Sequence, residues 1–406
     1  MAYPTITEKY GSLSATGLAK EVAFGTPVAA TTFLPMTGNT MEEDPGWFSP
    51  QLMQGTRDLQ VYNLYGEAKF TGSLDGPLFP SNAMELMVAS IGADAVAGSG
   101  VTGSGATSAT TLAAGITAGS SAFTLTSATG YAIGSIMQVD VNGTGPVTTA
   151  EVRKIATLTG VTGTVDVPWT YNHAITTTPV VKVVAPFTHT ISQQNTLPSL
   201  TVEKNIGGFQ SLQFAGCRVG KFDLKAPTGN NPVTVTADLS GQSSAVLNSP
   251  TAISVTNENP FVFAEANLTI YSTLRTEVSN VGVTIDNGLK ETYTYSNAHG
   301  PSFITPVTLH TSGMIDLVFD SLNDATYGDY SRMANGTLGA LTFSLVHPVS
   351  AGTITISLPQ IALSKYANDV KMTDVVMSNL SYEASKDPTA GYTIQATVVN
   401  SVYLPY

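Results

Sequence analysis

The side chains that could carry out chemistry are few in this 406-residue chain, and they lie far apart. The five histidines are His173, His189, His299, His310 and His347. No two of them have the spacing that places two metal ligands on one face of a helix, and the chain has a single cysteine. The sequence therefore predicts ordinary strand and turn histidines, with no metal and no cofactor.

Two groups of carboxylates raise the possibility of glycoside hydrolysis, which uses a pair of such groups. The groups are Glu42, Glu43 and Asp44, and then Asp316, Asp320 and Asp324. Acidic side chains on exposed strands and turns are more often simply solvated, and no Gly-x-Ser-x-Gly nucleophile elbow is present. We therefore predict that the protein is not an enzyme.

Two further motifs have better structural explanations. Gly98, Gly100 and Gly103 match the dinucleotide fingerprint by letter, but they follow a predicted helix and precede a Ser/Thr-rich linker. Cys217 has Arg218 beside it, which could lower the pKa of the thiol. Because free cysteines are usually buried, we instead predict a small buried strand residue.

The composition indicates a β-rich protein that does not grip nucleic acid. Only 11% of residues are charged, the net charge is −12, and no run of Lys or Arg occurs. Proteins that hold phosphates need such a basic surface, whereas an acidic surface lets nucleic acid pass without adhering. The N-terminus has no signal-peptide pattern, so we expect a protein made in the cytosol without disulfides or a membrane span.

The most informative stretch runs from Asp58 to Ala93. From Val61 its residues alternate between a mostly polar and a mostly apolar side, which predicts one long strand with a wet face. Gly76-Pro77 then breaks the strand. Asn82 has the position of a helix N-cap, and Met84, Met87, Val88 and Ile91 repeat as on one apolar helix face. Gly92 is predicted to end the helix in a left-handed C-cap.

The rest of the chain divides around this stretch. Residues 1–57 are a Pro-interrupted arm, predicted to order only on assembly because its apolar residues lack local partners. Residues 97–187 read as a small all-β insertion behind a Gly/Ser linker. The predicted domains are 58–96 with 188–247, and 251–406.

The second of these domains resembles the first in sequence pattern, which indicates a duplication. Residues 304–333 resemble residues 61–87, as a strand, an acidic turn and a possible helix. Residues 370–401 resemble residues 209–241, as a strand, a charged turn and a strand. A duplicated, half-polar β unit without catalytic residues favours a structural role.

Several segments together resemble tail tube proteins of tailed bacteriophages. They are GLAKEVAFGTPVAATTFLPMTG, LYGEAKFTGSLDGPLFPSNAMELMVASIGA, LPSLTVEK, FAGCRVGKFDL and SYEASKDPTAGYTIQATVVNS. The resemblance covers most of residues 15–96 and 188–402. It implies a mainly β fold, with two tandem barrel or sandwich domains that each carry a flanking helix.

The resemblance also implies a function and partners. Copies of the chain would form rings, homotrimeric with pseudo-sixfold symmetry or else hexameric, stacked into the hollow tail tube of the virion. Other tail proteins would bind the tube ends, and the tape-measure protein and DNA would occupy the lumen non-specifically. Assembly would occur in the host cytoplasm. Another virion β protein, from the baseplate or head, and a bacterial surface adhesin remain alternatives.

The polar strand faces give a hypothesis for the channel wall, although period alone does not say which face points inward. The predicted lumen-lining residues are Asn63, Glu67, Lys69, Thr71, Ser73, Asp75, Thr234, Thr236, Asp238, Thr393, Gln395 and Thr397. The insertion is too large for the channel, so it should project outward, which predicts a non-contractile tail. Deleting residues 98–184 should leave thinner tubes.

Overall fold

The computed structural model describes residues 11–53, 57, 62–81, 84–100, 109–142, 145–174, 179–255, 258–295, 299–319, 327–348, 352–370, 372 and 375–406. Strands in antiparallel sheets dominate these residues, and two short α-helices accompany them. The mainly β fold class predicted from the sequence is therefore confirmed.

The elements before residue 200 follow in chain order. They are β1 (Ala15–Lys20), β2 (Thr32–Leu34), β3 (Gly38–Asn39), β4 (Glu42–Asp44), β5 (Lys69–Pro77), α1 (Met84–Ile91), β6 (Gly92–Gly100), β7 (Ala109–Thr111), β8 (Ala122–Thr124), β9 (Ile136–Asn142), β10 (Gly145–Thr159), β11 (Thr162–Val165) and β12 (Pro179–Gln193). A short 3₁₀ turn, Gly11–Leu13, precedes them.

The remaining elements complete the fold. They are β13 (Leu200–Ile206), β14 (Gln210–Pro227), β15 (Thr234–Gly241), β16 (Ser243–Leu247), β17 (Ala266–Ile270), β18 (Thr273–Arg275), β19 (Val278–Asp286), β20 (Leu289–Thr292), β21 (Phe303–Pro306), β22 (His310–Val318), α2 (Asp329–Ala334), β23 (Leu338–Val346), β24 (Thr353–Asp369), β25 (Met377–Ala384) and β26 (Gln395–Asn400). A second 3₁₀ turn, Phe263–Glu265, lies before β17.

The chain divides into two compact units. The first comprises Met1–Ala93, Ser192–Leu345 and Thr355–Gln395, and the second comprises Asp94–Ile191, Val346–Ile354 and Ala396–Tyr406. The first unit holds most of the long strands and both helices. The second unit is therefore built largely from the predicted insertion, together with two later segments of the chain.

The N-terminal segment is part of the first unit. β1 pairs antiparallel with β13 and β2, and Phe33 and Leu34 are buried. The buried carboxylate of Glu21 accepts hydrogen bonds from Ser199 Oγ at 2.6 Å and from Gly216 N at 2.8 Å. The expectation that the arm's apolar residues lack local partners is wrong for Phe33 and Leu34, because β2 pairs with β1 within the arm, whereas Trp47 is 64% exposed.

The stretch after Asp58 begins its strand later than predicted. β5 starts at Lys69, because the backbone before it pairs elsewhere: Leu64 bonds Phe48 in both directions, and Ala68 N donates to His299 O at 2.9 Å. The predicted helix is confirmed as α1. Its residues are buried on nearly every side instead of one face. Asn82, the predicted cap, lies outside the described residues.

The end of α1 at Gly92 differs in detail from the prediction. Gly92 has φ +146, well away from the left-handed helical cap, and the chain continues directly into β6. A Cβ on this residue would lie 2.6 Å from Gln194 Cβ. Glycine is therefore required here both by the backbone conformation and by the close approach of Gln194.

The second unit has its own core and a buried charge network. The core residues are Leu112, Ile116, Phe123, Leu125, Tyr131, Met137, Val139, Ile155, Val165, Trp169 and Val180. His173 lies between the carboxylates of Asp140 and Glu151, and Arg153 lies 3.4 Å from Glu151. Burial lowers the pKa of His173, but hydrogen bonds and charge from Glu151 and Asp140 outweigh it and raise the pKa overall.

A second buried histidine holds the chain's C-terminal residues within this unit. His189 Nδ1 lies 2.8 Å from Asp94 Oδ2, and its Nε2 donates to Val402 O at 2.9 Å. Tyr406 N donates to the same Asp94 oxygen at 3.0 Å. Asp94 and His189 therefore fix the last segment of the chain at the base of the insertion.

Candidate functional site

Eight neighbouring antiparallel strand positions in the first unit form a continuous run. The order is β3 with β4, then β5, β15, β14, β19, β22, β25 and β24. β3 and β4 count as one interrupted strand, because both pair with β5 and Thr40 N between them donates to Ser73 O at 3.0 Å. Along this run, side chains from both halves of the sequence come together on one sheet.

The register places polar residues opposite one another along the run. Asp238 of β15 lies opposite Ser73 of β5 on one side and Lys221 of β14 on the other. Lys221 in turn lies opposite Asp286 of β19, which lies opposite His310 of β22. Directly opposed residues in antiparallel strands point to the same side of the sheet. The alternating polar residues of the separate strands therefore share one side, which we call the polar face.

The other side of the run is the protein core. Its buried members include Phe70, Leu74, Phe222, Leu224, Val235, Ala237, Leu239, Val281, Val283, Ile285, Ile315, Leu317, Leu380 and Tyr382. Period-two alternation separates these residues from the polar face, with register irregularities in β14, β19 and β24. Burial of this side fixes the register, because a slip by one residue would move the apolar set into water.

The polar face carries more acid than base among the side chains that the structure describes. The carboxylates are Glu42, Asp44, Asp75, Asp223, Asp238, Asp286, Asp316 and Glu383, and the lysines are Lys69, Lys221, Lys225 and Lys365. Thr, Ser and Asn occupy most other positions, and the apolar members include Met314, Val318, Met377, Ala362 and Ala367. The face is therefore hydrophilic and net negative.

Lys221 is surrounded by carboxylates on this face. Its Nζ lies 2.6 Å from Asp223 Oδ2, whose other oxygen accepts from Thr284 Oγ1 at 2.5 Å. The hydrogen bond with Asp223 raises the pKa of Lys221, and the charges of Asp238 and Asp286 add to the effect. Partial burial raises the pKa of Asp238, which Lys221 opposes. Lys221 therefore partly neutralises a cluster that would otherwise repel itself.

The structure brings together seven of the predicted lining residues. These are Lys69, Thr71, Ser73, Asp75, Thr234, Thr236 and Asp238, all on the polar face. Asn63 and Glu67 are exposed but precede β5. Thr393 is buried, and Gln395 and Thr397 lie on β26, which pairs with β24 and β12 but is not one of the eight strands.

The sequence analysis did not identify the polar-face residues of β14, β19, β22 and β25. In β14, Lys221, Asp223 and Lys225 alternate with the buried Phe222 and Leu224, which is a readable period-two signal. The missed members of β19, β22 and β25 include Asn280, Thr284, Asp286, His310, Ser312, Asp316, Asn379, Ser381 and Glu383. The period-two alternation of these strands is visible in the sequence, but the sequence does not show which strands lie side by side in the sheet.

The run repeats itself after four strands. We call β3/β4, β5, β15 and β14 the first strand group, and β19, β22, β25 and β24 the second strand group. Both groups carry a register irregularity at the same place, between Val219 and Lys221 and between Leu363 and Lys365. Each irregularity is followed by a lysine on the polar face. The groups therefore correspond strand by strand.

The turn that leaves the first strand of each group also repeats. Asp44 Oδ1 accepts from Gly46 N at 3.0 Å, and Asp286 Oδ1 accepts from Gly288 N at 2.9 Å. Both glycines have positive φ, at +57 and +49. This match corrects one detail of the sequence comparison: β25 corresponds to β15 and β24 to β14, so residues 370–401 are displaced by one strand against residues 209–241.

Several of the residues whose side chains could carry out chemistry lie in the described part of the chain. Cys217 is buried, as predicted, and burial raises the pKa of its thiol. Glu42 and Asp44 belong to the polar face, whereas Asp320, Asp324 and Gly103 lie outside the described residues. Within the part of the chain that the structure describes, no group of three His, Cys, Asp or Glu side chains is arranged to hold a metal ion.

The chain matches a known protein family. No curated protein matches the chain significantly. No helix among the described residues is long and apolar enough to cross a membrane. A family model described as "Phage tail tube protein" matches residues 11–385, which include both strand groups and nearly the whole chain. On this match, and on the duplicated half-polar β run that it covers, the chain belongs to the phage tail tube protein family.

Proposed function

We propose that copies of this chain form rings that stack into the hollow tail tube of a phage, and that the polar face lines its channel. The observation that carries the proposal is the eight-strand run with one buried and one hydrophilic side. Strands that end in exposed edges favour pairing with further copies. The chain would then serve a structural role in DNA delivery and not an enzymatic one.

The charge of the polar face suits this role. A basic wall would exchange condensed counterions for phosphate contacts and hold DNA, whereas carboxylates in excess over lysines give no such gain. Neutral Thr, Ser and Asn side chains keep the wall wetted between the charges. Tape-measure protein and DNA would therefore occupy the channel without specific contacts.

The repeat of the run supports a ring of three chains. Each chain supplies two equivalent strand groups, so three chains supply six, and a rotation that closes gives a ring and not a fibre. Twenty-four strands spaced ~4.8 Å apart close into a barrel ~37 Å across before tilt is included. A ring of six chains would be twice as wide.

Electron microscopy of the purified protein at high concentration is the first test. Hollow tubes or stacked rings are expected, with other tail proteins needed only to define the tube ends. A species that stays monomeric at high concentration, with residues 1–57 present, contradicts the proposal.

Reversing charge on the polar face tests its position in the channel. Asp75→Lys together with Asp238→Lys should leave tubes intact but slow DNA ejection, because lysines there hold phosphates. Asp75→Asn with Asp238→Asn is the matched control, since it removes acid without adding base. Normal ejection from assembled Lys-substituted tubes would show that the polar face is not the channel wall.

The insertion is proposed to project outside the tube, which favours a non-contractile tail. Deleting residues 98–184 retains Asp94 and His189, so the contacts that hold Tyr406 survive. Thinner tubes are the expected result. Loss of tubes from the deletion would place the insertion in the ring contact, and a sheath around native tubes would contradict the non-contractile assignment.

A further inference from the structure

The join between the two strand groups inside one chain shows how two such groups fit side by side. β14, the last strand of the first group, pairs antiparallel with β19, the first strand of the second group. At this internal join, Lys221 lies opposite Asp286 and Asp223 lies opposite Thr284. The pairing of β14 with β19 therefore shows the geometry of a contact between successive groups.

The equivalents of these two strands, β3/β4 and β24, lie at the two ends of the run, where β24 also pairs with β26. At one end, Glu42, Glu43 and Asp44 of β4 are all exposed. At the other end, Lys365 and Asn368 of β24 are exposed. By the strand correspondence, Lys365 is the equivalent of Lys221, and Asp44 is the equivalent of Asp286, with the same Asp-x-Gly turn. A second copy could therefore repeat the internal join.

The differences in residue type between equivalent positions of the two groups favour this contact. Lys221 has Asp223 in its own strand and Asp238 opposite, whereas Lys365 has Ala367 and Ser381 at the corresponding places. Lys365 thus lacks the two carboxylates that surround its counterpart. At the internal join, Asp223 of β14 lies opposite Thr284 of β19. The equivalent positions hold Ala367 in β24 and Glu42 in β4, so the carboxylate of this pair is on β4 instead of β24.

We propose that β24 of one copy pairs antiparallel with β3 and β4 of the next copy, with Lys365 opposite Asp44 and Ala367 opposite Glu42. This inference rests on the proposed ring assembly and specifies its seam. The strand directions agree, because eight alternating strands leave β24 antiparallel to the next β4. Lys365 then meets two carboxylates supplied by its neighbour, which makes the ring contact selective for this register.

Disulfide trapping tests the register directly. Tubes of the Asp44→Cys with Lys365→Cys variant are oxidised and separated on a denaturing gel without reductant. The largest covalent multimer should contain three chains, or six if the ring has six. Directly opposed residues of antiparallel strands are close enough for a disulfide. Glu43→Cys with Lys365→Cys is the matched control, because Glu43 points to the other side of the sheet and should give no multimers.

A charge exchange covers the case in which cysteine variants fail to assemble. Lys365→Asp and Asp44→Lys should each abolish sedimentable tubes, and the double variant should restore them. Lys225→Asp makes the same charge change on the polar face away from the seam, and its tubes should persist. Unfolding by circular dichroism confirms that each variant is folded.

The outcomes separate the seam from the proposed function. Multimers from the Asp44→Cys with Lys365→Cys variant, or restoration by the exchange, support the seam. The seam is overturned if the wild-type protein forms tubes but tubes of Asp44→Cys with Lys365→Cys do not cross-link and the single charge reversals assemble normally. The tube itself is then still established. Wild-type protein that forms no rings or tubes overturns the proposed function instead.

Discussion

The two strand groups present the same kind of polar face but hold their helices differently. In the first group, β5 leads to α1, whose side chains are buried apart from the partly covered Glu85. In the second group, β22 leads to α2, where Tyr330 is 54% exposed and the buried residue is Asp329. One helix is held by apolar packing and the other by charge.

The charged anchor of α2 is Arg275 of β18. Its Nη2 donates to both oxygens of Asp329, at 2.5 and 2.6 Å, and its Nη1 donates to Glu277 Oε1 at 2.6 Å. The guanidinium also stacks 3.8 Å from the ring of Tyr327. The two groups therefore share the polar face and the alternation of their strands, but they differ in how the helix after the second strand is anchored.

Removing the charged anchor should have the largest effect. Arg275→Ala leaves Asp329 buried without its counter-charge, so we expect the free energy of unfolding to fall by about 3–5 kcal/mol. Urea unfolding of the assembly-incompetent Lys365→Asp protein measures this without tubes. Arg332→Ala, which loses a contact with Tyr271, is the control. A loss below about 1 kcal/mol would mean that the ion pair does not anchor α2.

Truncating the apolar anchor should come next. Leu86→Ala in α1 removes a fully buried side chain and should cost about 2–5 kcal/mol, depending on how far the cavity collapses. Tyr330→Ala in α2 removes a larger but half-exposed side chain that packs edge-on against Tyr366, and it should cost about 0.5–1.5 kcal/mol. Equal losses from the two substitutions would contradict the contrast between the helices.

Glu85 gives helix α1 of the first group a pH dependence. Burial raises the pKa of Glu85 from 4.5 to about 7, against a smaller lowering by a hydrogen bond with Thr32. The folded state therefore binds this proton more tightly than the unfolded state, and its contribution to stability is lost as the pH rises from about 4.5 to 7.

Replacing Glu85 by Gln should remove that loss. We expect Glu85→Gln to raise the free energy of unfolding by about 1–3 kcal/mol at pH 8 and to change it little at pH 4. Urea titrations at the two pH values measure the difference. If the variant gains as much at pH 4 as at pH 8, ionisation of Glu85 is not the cause.

The smallest effect concerns the two equivalent lysines in the unassembled chain. Lys221→Met should lower the free energy of unfolding by less than about 1 kcal/mol, because the Lys221 side chain is partly exposed and water screens its pairs with Asp223 and Asp238. Lys365→Met should change it even less, since Ala367 and Ser381 stand where those carboxylates would be. A larger loss from Lys365→Met would show that it already has partners within the chain.

The amino-acid sequence by itself determined which side chains share a strand face. The alternation around Phe70 and Leu74 placed Thr71, Ser73 and Asp75 together, and the same rule separated Val235 from Thr236. Helix α1 followed from its apolar spacing, and the acidic composition excluded a phosphate-gripping surface. These properties are local, because side-chain direction depends only on the period of the backbone.

Only the tertiary structure decided which strands are neighbours. Ser73 and Asp238 are opposed although the insertion separates them, and Lys221 meets Asp286 across the join of the two groups. The same holds for His173, whose carboxylate partners Asp140 and Glu151 lie on other strands. Period fixes the face of a residue but not the strand beside it, since pairing between distant strands depends on the packing of the whole unit.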